Sequence, residues 1–363
     1  MQDLETIRKE IDTIDAQMAA LFEDRMELSR QICEFKMEHA LAVSDPAREE
    51  QLIQRNAARI SDRGIREYYV NFEKSVLRLS RSWQNRLMNG LKVAYSGVPG
   101  AFAYIAAARM FPGAKLVAYP DFEQAYRSCE TGETDVVVLP FENSFAGEVS
   151  TVTDLMFSGS LYVNQAIEVE AEQNLLGLPG VDKSQIRTVY SHPQALAQCA
   201  DYIKRHQLET RDISNTALAA KKVAEEQDPS LGAVGTAEAA ELYGLEVLEA
   251  RINTSRTNTT RFAAFSRVLN LDTTNKRQMG KHFILMYTVK NEAGALAQTL
   301  NIIGAHNYNM YNLHSRPMKE LLWSYYFFVE LDGDIATEEG SSMMHELAPL
   351  CDRLKLVGSF YLR

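Results

Sequence analysis

Residues 7–36 read IRKEIDTIDAQMAALFEDRMELSRQICEFK, and their apolar positions recur at alternating steps of four and three. This spacing places the apolar side chains on one stripe of an α-helix, as in a heptad seam. One position of the stripe holds Arg25 instead of an apolar residue. The whole helix, about 35 residues and ~50 Å long, would bury little by itself, so the seam predicts packing against a second copy of the chain. The apolar members of the seam are Ile7, Ile11, Ile14, Met18, Leu21, Leu28, Ile32 and Phe35.

The rest of residues 1–90 also has a helical pattern. Gly64 and Pro46 are the only glycine and proline before residue 90. Asp45 precedes Pro46, which predicts a second helix with Asp45 as its N-cap and proline at its first position. A third helix is expected from about Ile65 to Leu87. We therefore expect an all-α domain over residues 1–90.

The composition excludes several classes of protein. The chain has 363 residues, a net charge of −10 and 46% apolar residues. No run approaches the ~18 apolar residues of a membrane helix. The first residues, MQDLETIRKE, hold no apolar signal core, so we expect a cytoplasmic location. The cysteines form no CxxC and the histidines no HxxxH, so no metal is expected. The acidic balance argues against a nucleic-acid partner.

Two further zones follow along the chain. Residues 91–271 alternate β-rich runs with helical patterns, such as a helix over Pro193–Arg205. This alternation predicts an α/β domain with largely parallel sheets, and its length allows two lobes with a cleft between them. Residues 279–363 read strand, helix, strand, strand, helix, strand, which is the order of a ferredoxin-like βαββαβ unit. A polar linker, Asp272–Gln278, separates the two zones.

Cations on the first helix suggest an anionic ligand. A buried guanidinium is costly unless an anion pairs with it, and Arg25 lies in the apolar seam. Lys36 is 11 residues further on, about 20° around the helix and ~16 Å along it, so it shares that face. Arg8 is about 100° off that face and ~26 Å away. In a twofold dimer the partner's copy could reach the same ligand. The alternative interpretation is that these residues set the coiled-coil register or are solvated.

Taken together, these residues resemble the all-helical chorismate mutase family over about 85 positions. The resemblance implies an intertwined dimer in which Arg8 enters the neighbouring site. It also implies that Arg8, Arg25 and Arg48 bind carboxylates. Lys36 and Gln84 would donate to the ether oxygen of the substrate. The rearrangement of a dicarboxylate within one molecule needs no nucleophile, only a fixed conformer and charge stabilisation. The matching residues are Arg8, Arg25, Lys36, Asp45, Arg48, Glu49, Ser80 and Gln84.

Four strings in the second zone stand out: AYSGVPGAFAYIAA (94–107), PFENSFAG (140–147), SHPQALAQC (191–199) and NTTRF (258–262). Each by itself is explained by a tight turn, a helix start or a strand entrance. Their order and spacing together resemble prephenate dehydratase over about residues 91–270. The site residues that this resemblance implies are Glu142, Asn143, Ser144, Ser191, Gln198, Thr260 and Arg261.

The implied reaction loses CO2 and hydroxide from a ring that becomes aromatic. The enzyme must help the hydroxyl leave, by protonation or by a strong hydrogen bond. The family motif points to Thr260, whereas Glu142 is the better acid if burial raises its pKa. The sequence leaves both open. Arg261 or backbone donors would hold a carboxylate. The string GAFA (100–103) departs from the family's GTFS-like pattern and removes two possible hydroxyl donors.

Two strings of the third zone, GALA (294–297) and SRP (315–317), resemble the regulatory ACT domain. The resemblance implies L-phenylalanine as an effector bound between two such domains. By themselves these strings would be a helix start and a strand end. His314 stands where the family usually has glutamate before SRP. The implied effector residues are Gly294, Ala295, Leu296, Ser315 and Arg316.

The whole chain thus resembles a bifunctional chorismate mutase–prephenate dehydratase with an ACT domain. The resemblance implies chorismate, prephenate and L-phenylalanine as partners, in a homodimer or homotetramer, and it implies that no cofactor or metal is needed. Two alternatives stay open: a dehydratase that prefers arogenate, and a non-catalytic amino-acid sensor of the same shape.

Overall fold

The computed structural model describes residues 3–39, 41–254, 258–271, 280–318 and 325–362. The linker expected at 272–278 lies outside these residues. So does the start of the third strand of the C-terminal zone, which the sequence predicts over Leu322–Leu331. The chain divides into two compact units, residues 1–92 and 93–363. The first unit ends two residues after the predicted boundary at residue 90.

The first unit is helical, and each of its helices begins after an aspartate. The side chains of Asp3, Asp45 and Asp62 each accept a hydrogen bond from a backbone N–H of the helix that follows. Pro46 occupies the first turn of the second helix, as the sequence predicts. The three helices are α1 (Leu4–Glu38), α2 (Pro46–Ala57) and α3 (Arg63–Asn89).

The apolar seam of α1 lies in solvent in the single chain. Only Ser29 and Cys33 are buried along this helix, where it packs against α3. Seam residues such as Ile11, which is 51% exposed, and Leu21, which is 67% exposed, have no apolar cover within the described chain. A seam of this length in water is unfavourable, since each apolar side chain gains free energy when it is buried.

The second unit alternates strands and helices. Its helices are α4 (Phe102–Met110), α5 (Phe122–Thr131), α6 (Ser150–Ser158), α7 (Pro193–Gln198), α8 (Ala200–His206), α9 (Thr216–Glu226), α10 (Ala237–Tyr243), α11 (Ala295–Ala305) and α12 (Glu338–Leu347), with short 3-10 turns at Lys183–Gln185 and Ala348–Leu350. Its strands are β1 (Lys92–Ser96), β2 (Lys115–Tyr119), β3 (Val136–Asn143), β4 (Gly147–Glu148), β5 (Tyr162–Glu170), β6 (Asn174–Gly177), β7 (Thr188–Ser191), β8 (Glu209–Asp212), β9 (Leu231–Gly235), β10 (Glu246–Glu249), β11 (Thr259–Ser266), β12 (Lys281–Val289), β13 (Asn309–Pro317), β14 (Tyr325–Asp332) and β15 (Cys351–Tyr361).

Two lobes form the α/β part of the chain. One lobe has the strands β1, β2, β3, β5 and β11, and the other has the order β10-β6-β9-β7-β8. The chain crosses between the lobes at residues 171–173, and residues 250–254 and 258 belong to a second crossing, between β10 and β11. The expectation of largely parallel sheets is wrong, because β11 returns antiparallel to both β3 and β5, and β6 is antiparallel to β9 and β10. The sheets are therefore mixed.

The helix expected over Pro193–Arg205 is also interrupted. The chain forms α7 and α8 instead, with Cys199 between them at φ −106°.

The two lobes approach each other closely at Gly100, where a larger residue would not fit. Gly100 has φ +84°, and a Cβ there would meet Leu242 and Ala217 of the second lobe at 3.3 and 3.4 Å.

The C-terminal strands have the predicted ferredoxin-like arrangement. The elements follow the order β12-α11-β13-β14-α12-β15, and the strands lie in the order β13-β14-β12-β15 with antiparallel neighbours. Strand β15 also pairs in parallel with β5 through Gly358 and Val163, which joins this sheet to the first lobe. A Cβ on Gly358 would overlap the Val163 carbonyl. The second predicted domain boundary therefore falls inside one compact unit.

Candidate active sites

In the helical unit, four predicted site residues come together between α1 and α3. Arg25 donates a hydrogen bond to the hydroxyl of Ser80. Lys36 Nζ donates to Gln84 Oε1 at 3.2 Å and to the carbonyl of Val43 at 2.6 Å. Ser80 and Gln84 are buried one turn apart on α3, and the two cations are half-buried on α1. Two cations on one wall form a site suited to an anion with two charges.

The orientation of the Gln84 amide follows from its partners. Its Nε2 donates to Ser29 Oγ at 3.0 Å, and its Oε1 accepts from Lys36. An ammonium can only donate, so the oxygen must face Lys36. In this arrangement the Gln84 oxygen orients the Lys36 ammonium, and the Gln84 amide nitrogen donates its hydrogen bond to Ser29.

The remaining predicted residues of this unit lie elsewhere. Asp45 caps α2 by accepting from the backbone N–H of Arg48 at 3.1 Å, and the Arg48 side chain is exposed. Glu49 forms an ion pair with Arg81. Arg8 is exposed near the start of α1, about 26 Å along the helix from Arg25. A single chain therefore does not bring Arg8 to the other cations.

The second unit holds a cavity of about 180 Å³ between the two lobes. Three of the predicted residues, Asn143, Gln198 and Thr260, line it. The described residues around it are mostly amides, hydroxyls and small apolar groups. They are Phe102, Asn143, Ala171, Gln173, His192, Gln194, Ala195, Gln198, Asn215, Thr216, Asn258 and Thr260.

The Thr260 hydroxyl has a defined direction in this cavity. Asn143 Oδ1 accepts from the backbone N–H groups of Phe145 and Ala146, at 3.0 and 2.8 Å, which fixes its amide. Asn143 Nδ2 then faces Thr260 Oγ1 at 2.9 Å and Asn258 Oδ1 at 2.8 Å. Because the amide nitrogen can only donate, Thr260 accepts in this bond, and its own proton is left for another acceptor. The two residues are also cross-strand neighbours on β3 and β11.

Two predicted serines support the backbone instead. Ser191 is fully buried, and its Oγ donates to the carbonyl of Val234 at 2.6 Å. Ser144 Oγ accepts from the backbone N–H of Thr259 at 2.9 Å. Both are held next to the cavity without lining it.

Glu142 and Arg261 bind each other outside the cavity. Arg261 Nη1 lies 2.7 Å from Glu142 Oε2, and the other Glu142 oxygen accepts from Asn312 at 2.8 Å. Arg261 also donates to both oxygens of Glu330. Successive side chains of a strand point to opposite faces, so Thr260 in the cavity puts its neighbour Arg261 on the other side.

Several lining residues were missed by the sequence interpretation. His192 caps α7, with its Nδ1 accepting from the Gln194 N–H at 3.2 Å, and it lies inside the string SHPQALAQC. Asn215 caps α9 by accepting from Leu218 N–H at 2.8 Å. Asparagine favours N-cap positions, so a signal was readable at Asn215, whereas at His192 only the proline that follows marks the start of a helix. Gln173 lies where the chain crosses between lobes, which no local motif marks.

In the C-terminal part, the predicted effector residues separate into two groups. Gly294, at φ +86°, caps α11 in a conformation that favours glycine. Leu296 lines a different cavity of about 410 Å³. Arg316 instead binds Glu148 at 2.6 Å and Asp154 at 3.0 Å, both in the first lobe.

His314, which replaces the expected glutamate, faces the same carboxylate. Its Nε2 lies 2.6 Å from Glu148 Oε2, and its ring stacks on Phe328. Burial lowers the pKa of His314, although the carboxylates of Glu148 and Glu142 act in the other direction. His314 is thus next to the charges that join β13 to the first lobe.

Comparison with known proteins identifies both units. The family model for chorismate mutase type II matches residues 7–85, and the model for prephenate dehydratase matches residues 93–269. The bifunctional chorismate mutase/prephenate dehydratase of Neisseria gonorrhoeae is 30% identical over 360 residues, covering 97% of this chain and 95% of that protein.

Solved structures resemble the second unit. GqqA, described as a novel type of quorum-quenching acylase, is 28% identical with a TM-score of 0.68, over 75% of this chain and 98% of its own. The prephenate dehydratase of Arthrobacter aurescens, in complex with L-Phe, is 24% identical with a TM-score of 0.66, over 75% and 90%. The similarity to the Arthrobacter aurescens structure, at 24% identity, shows a shared fold.

Two compact units with separate candidate sites define a bifunctional enzyme. The chain belongs to the family of bifunctional chorismate mutase/prephenate dehydratases. None of the helices in the described part of the chain has the length and apolar character needed to span a membrane.

Proposed function

We propose that the chain rearranges chorismate to prephenate in its helical unit and converts prephenate to phenylpyruvate, CO2 and water in its α/β unit. It is an enzyme of L-phenylalanine biosynthesis. The observation that carries this function is that both family models match one chain, in two separate compact units. Each unit contains polar residues that suit its own reaction.

The mutase assignment is supported by Arg25 and Lys36. The reaction breaks the ether C–O bond and forms one C–C bond within a single dianion, so the protein needs only to hold the reactive conformer and stabilise charge on the breaking ether. Arg25, on Ser80, supplies a guanidinium for a carboxylate. Lys36, held by Gln84 at 3.2 Å, supplies a donor for the ether oxygen.

The dehydratase assignment is supported by Thr260. The prephenate dianion takes up one proton and yields the phenylpyruvate anion, CO2 and water, so the leaving hydroxyl must receive a hydrogen bond or a proton. The Thr260 hydroxyl accepts from Asn143, which leaves its proton available in the cavity. The carboxylate oxygens of Glu142, the alternative donor, accept hydrogen bonds from Arg261 and Asn312, away from the cavity. We therefore favour Thr260 as the donor.

A dimer that shares Arg8 between subunits is part of the proposal. The exposed seam of α1 supports the dimer, because its eight large apolar side chains are exposed to solvent in a single chain. The separation of Arg8 from Arg25 along one helix supports it as well. Sedimentation equilibrium of the full chain distinguishes the dimer from the tetramer.

We further propose that residues 279–363 form an ACT domain that binds L-phenylalanine. The ferredoxin-like strand order and the left-handed Gly294 at the start of α11 support this. Ala295 and Leu296 follow at the first turn of that helix, near the point where an amino-acid carboxylate would meet backbone N–H groups. Arg316 would act at the contact with the first lobe, and Ser315 precedes it on β13. A cytoplasmic location belongs to the same proposal.

The test is to supply purified enzyme with chorismate and to follow chorismate loss and phenylpyruvate formation separately. Both signals are expected from the wild type. Silence in both would favour the amino-acid sensor. Competition between prephenate and arogenate distinguishes the second alternative, and calorimetric titration with L-phenylalanine tests the effector site.

A further inference from the structure

Gln173 occupies a central position between the two lobes of the dehydratase unit. It lies on the segment that joins β5 to β6. Its backbone N–H donates to Asn253 Oδ1 at 3.2 Å, and its carbonyl accepts from the Ile252 N–H at 2.8 Å. These bonds tie it to the second crossing segment. Its position is therefore fixed from both connections between the lobes.

The side chain of Gln173 is 2% exposed and lines the cavity that also holds Thr260. No donor in the described part of the chain reaches its Oε1. Buried polar atoms in proteins nearly always have a hydrogen-bond partner, because desolvation without one is costly. A buried acceptor without a protein donor, on the wall of a ligand cavity, indicates a donor on the ligand.

We propose that Gln173 contacts the substrate of the dehydratase and accepts a hydrogen bond from the ring hydroxyl that leaves. This inference rests on the proposed function. Prephenate carries two carboxylates and a ketone, which only accept, and a single hydroxyl, which can donate. The ring hydroxyl is thus the one group that suits Gln173 Oε1.

The contact orients the leaving group. When the hydroxyl donates its proton to Gln173, its lone pairs are free to face Thr260, whose own proton is not used by Asn143. The C–O bond breaks and its electron pair leaves with the oxygen. That oxygen keeps its first proton and takes a second through Thr260, replaced from solvent, to become water. The electrons of the bond to the departing CO2 complete the aromatic ring.

The experiment compares Gln173→Met with the wild type for prephenate turnover and for inhibition by phenylpyruvate. Phenylpyruvate lacks the ring hydroxyl but keeps the keto acid. We expect kcat/KM for prephenate to fall about 10- to 100-fold, as for a site that loses its partner for a substrate hydroxyl. The Ki of phenylpyruvate should stay within about threefold, since the lost bond is absent in that complex. Gln165→Met, the same change on β5 outside the cavity lining, is the matched control.

An equal loss in kcat/KM for prephenate and in affinity for phenylpyruvate would overturn the proposal. The substitution would then affect a group that the two molecules share, or the shape of the cavity. An unchanged kcat/KM would overturn it too. Gln173→Glu provides a second test if the methionine variant does not fold. It keeps an acceptor at the same length, so its kcat should stay within about tenfold of the wild-type value while KM rises from repulsion of the dianion. A loss of kcat of about 100-fold or more in this folded variant would contradict the hydroxyl contact. If the wild type does not convert prephenate at all, the proposed function fails instead.

Discussion

Arg261 donates hydrogen bonds from both terminal nitrogens to the carboxylate of Glu330, at 2.8 and 2.7 Å. Glu330 lies on β14 in the C-terminal part and is fully buried, and the Arg261 side chain is 7% exposed. Arg261 directly follows Thr260 on β11. A bidentate pair of this kind is geometrically strict. The C-terminal part of the chain therefore holds the strand that carries Thr260.

The first prediction concerns Glu330→Gln. Arg261 keeps Glu142 as a charged partner but loses the fully buried one, which costs up to about 3 kcal/mol. Calorimetry of the full chain should therefore show a lower melting temperature for the second unit. The small shift of β11 should reduce dehydratase kcat about tenfold and leave mutase activity unchanged. Glu346→Gln, which removes an exposed partner of His306, is the control. An unchanged dehydratase in the Glu330 variant would contradict the coupling.

The second prediction is the pH dependence of that pair. Burial would raise the pKa of Glu330, but the hydrogen bonds from Arg261 and His282 outweigh it, and the pKa lies below its usual value. The stabilisation is then fully present above the ordinary carboxyl pKa, about 4.3, and is lost as the pH falls below it. The stability difference between wild type and Glu330→Gln should be constant above about pH 5 and should shrink as the pH falls from about 5 to 3. A constant difference in denaturant unfolding across this range would contradict it.

Much of the fold was readable from local patterns. The heptad spacing, the Asp45-Pro46 start and the α/β alternation reflect periodicity and capping, which act over a few residues. Strand β8, with the exposed sequence ETRD, was missed because it has no apolar alternation. Helix α6 was missed because Val149 at its N-cap gives no side-chain capping signal.

The site was readable only where motifs are local. Thr260 and Asn143 were identified from their strings, and the structure brings them together across two strands. Arg261 was expected at the substrate, yet its direction depends on Glu330, 69 residues away in sequence. Gln173 carries no signal because its importance comes from the crossing of two distant segments. Long-range pairings of this kind leave no pattern in one sequence.

The third prediction separates the two candidate proton donors. Thr260→Ser should keep most dehydratase activity, since the hydroxyl and its bond from Asn143 are retained. Glu142→Gln should keep kcat within about tenfold, because it removes one charge beside Arg261 without touching the cavity. Steady-state kinetics with prephenate decides the matter. A loss of about 1000-fold or more in Glu142→Gln, as for a missing general acid, would make Glu142 the donor.

The fourth prediction tests the shared mutase site. Arg8→Ala and Arg25→Ala should each abolish mutase activity, whereas their co-expression should restore about a quarter of it, since half of the dimers are mixed and each mixed dimer has one intact site. Arg25→Ala co-expressed with Lys36→Ala is the matched control, because these two residues lie on the same chain. Recovery in both mixtures, or in neither, would contradict sharing of Arg8.

The most direct test of two independent sites is to measure both activities in Arg25→Ala and in Thr260→Ala. We expect Arg25→Ala to lose mutase activity and keep its dehydratase kcat on prephenate, and Thr260→Ala to show the reverse. The Arg25 guanidinium and the Thr260 hydroxyl belong to different compact units. If either substitution removed both activities from a folded protein, the separation of the two sites would be wrong.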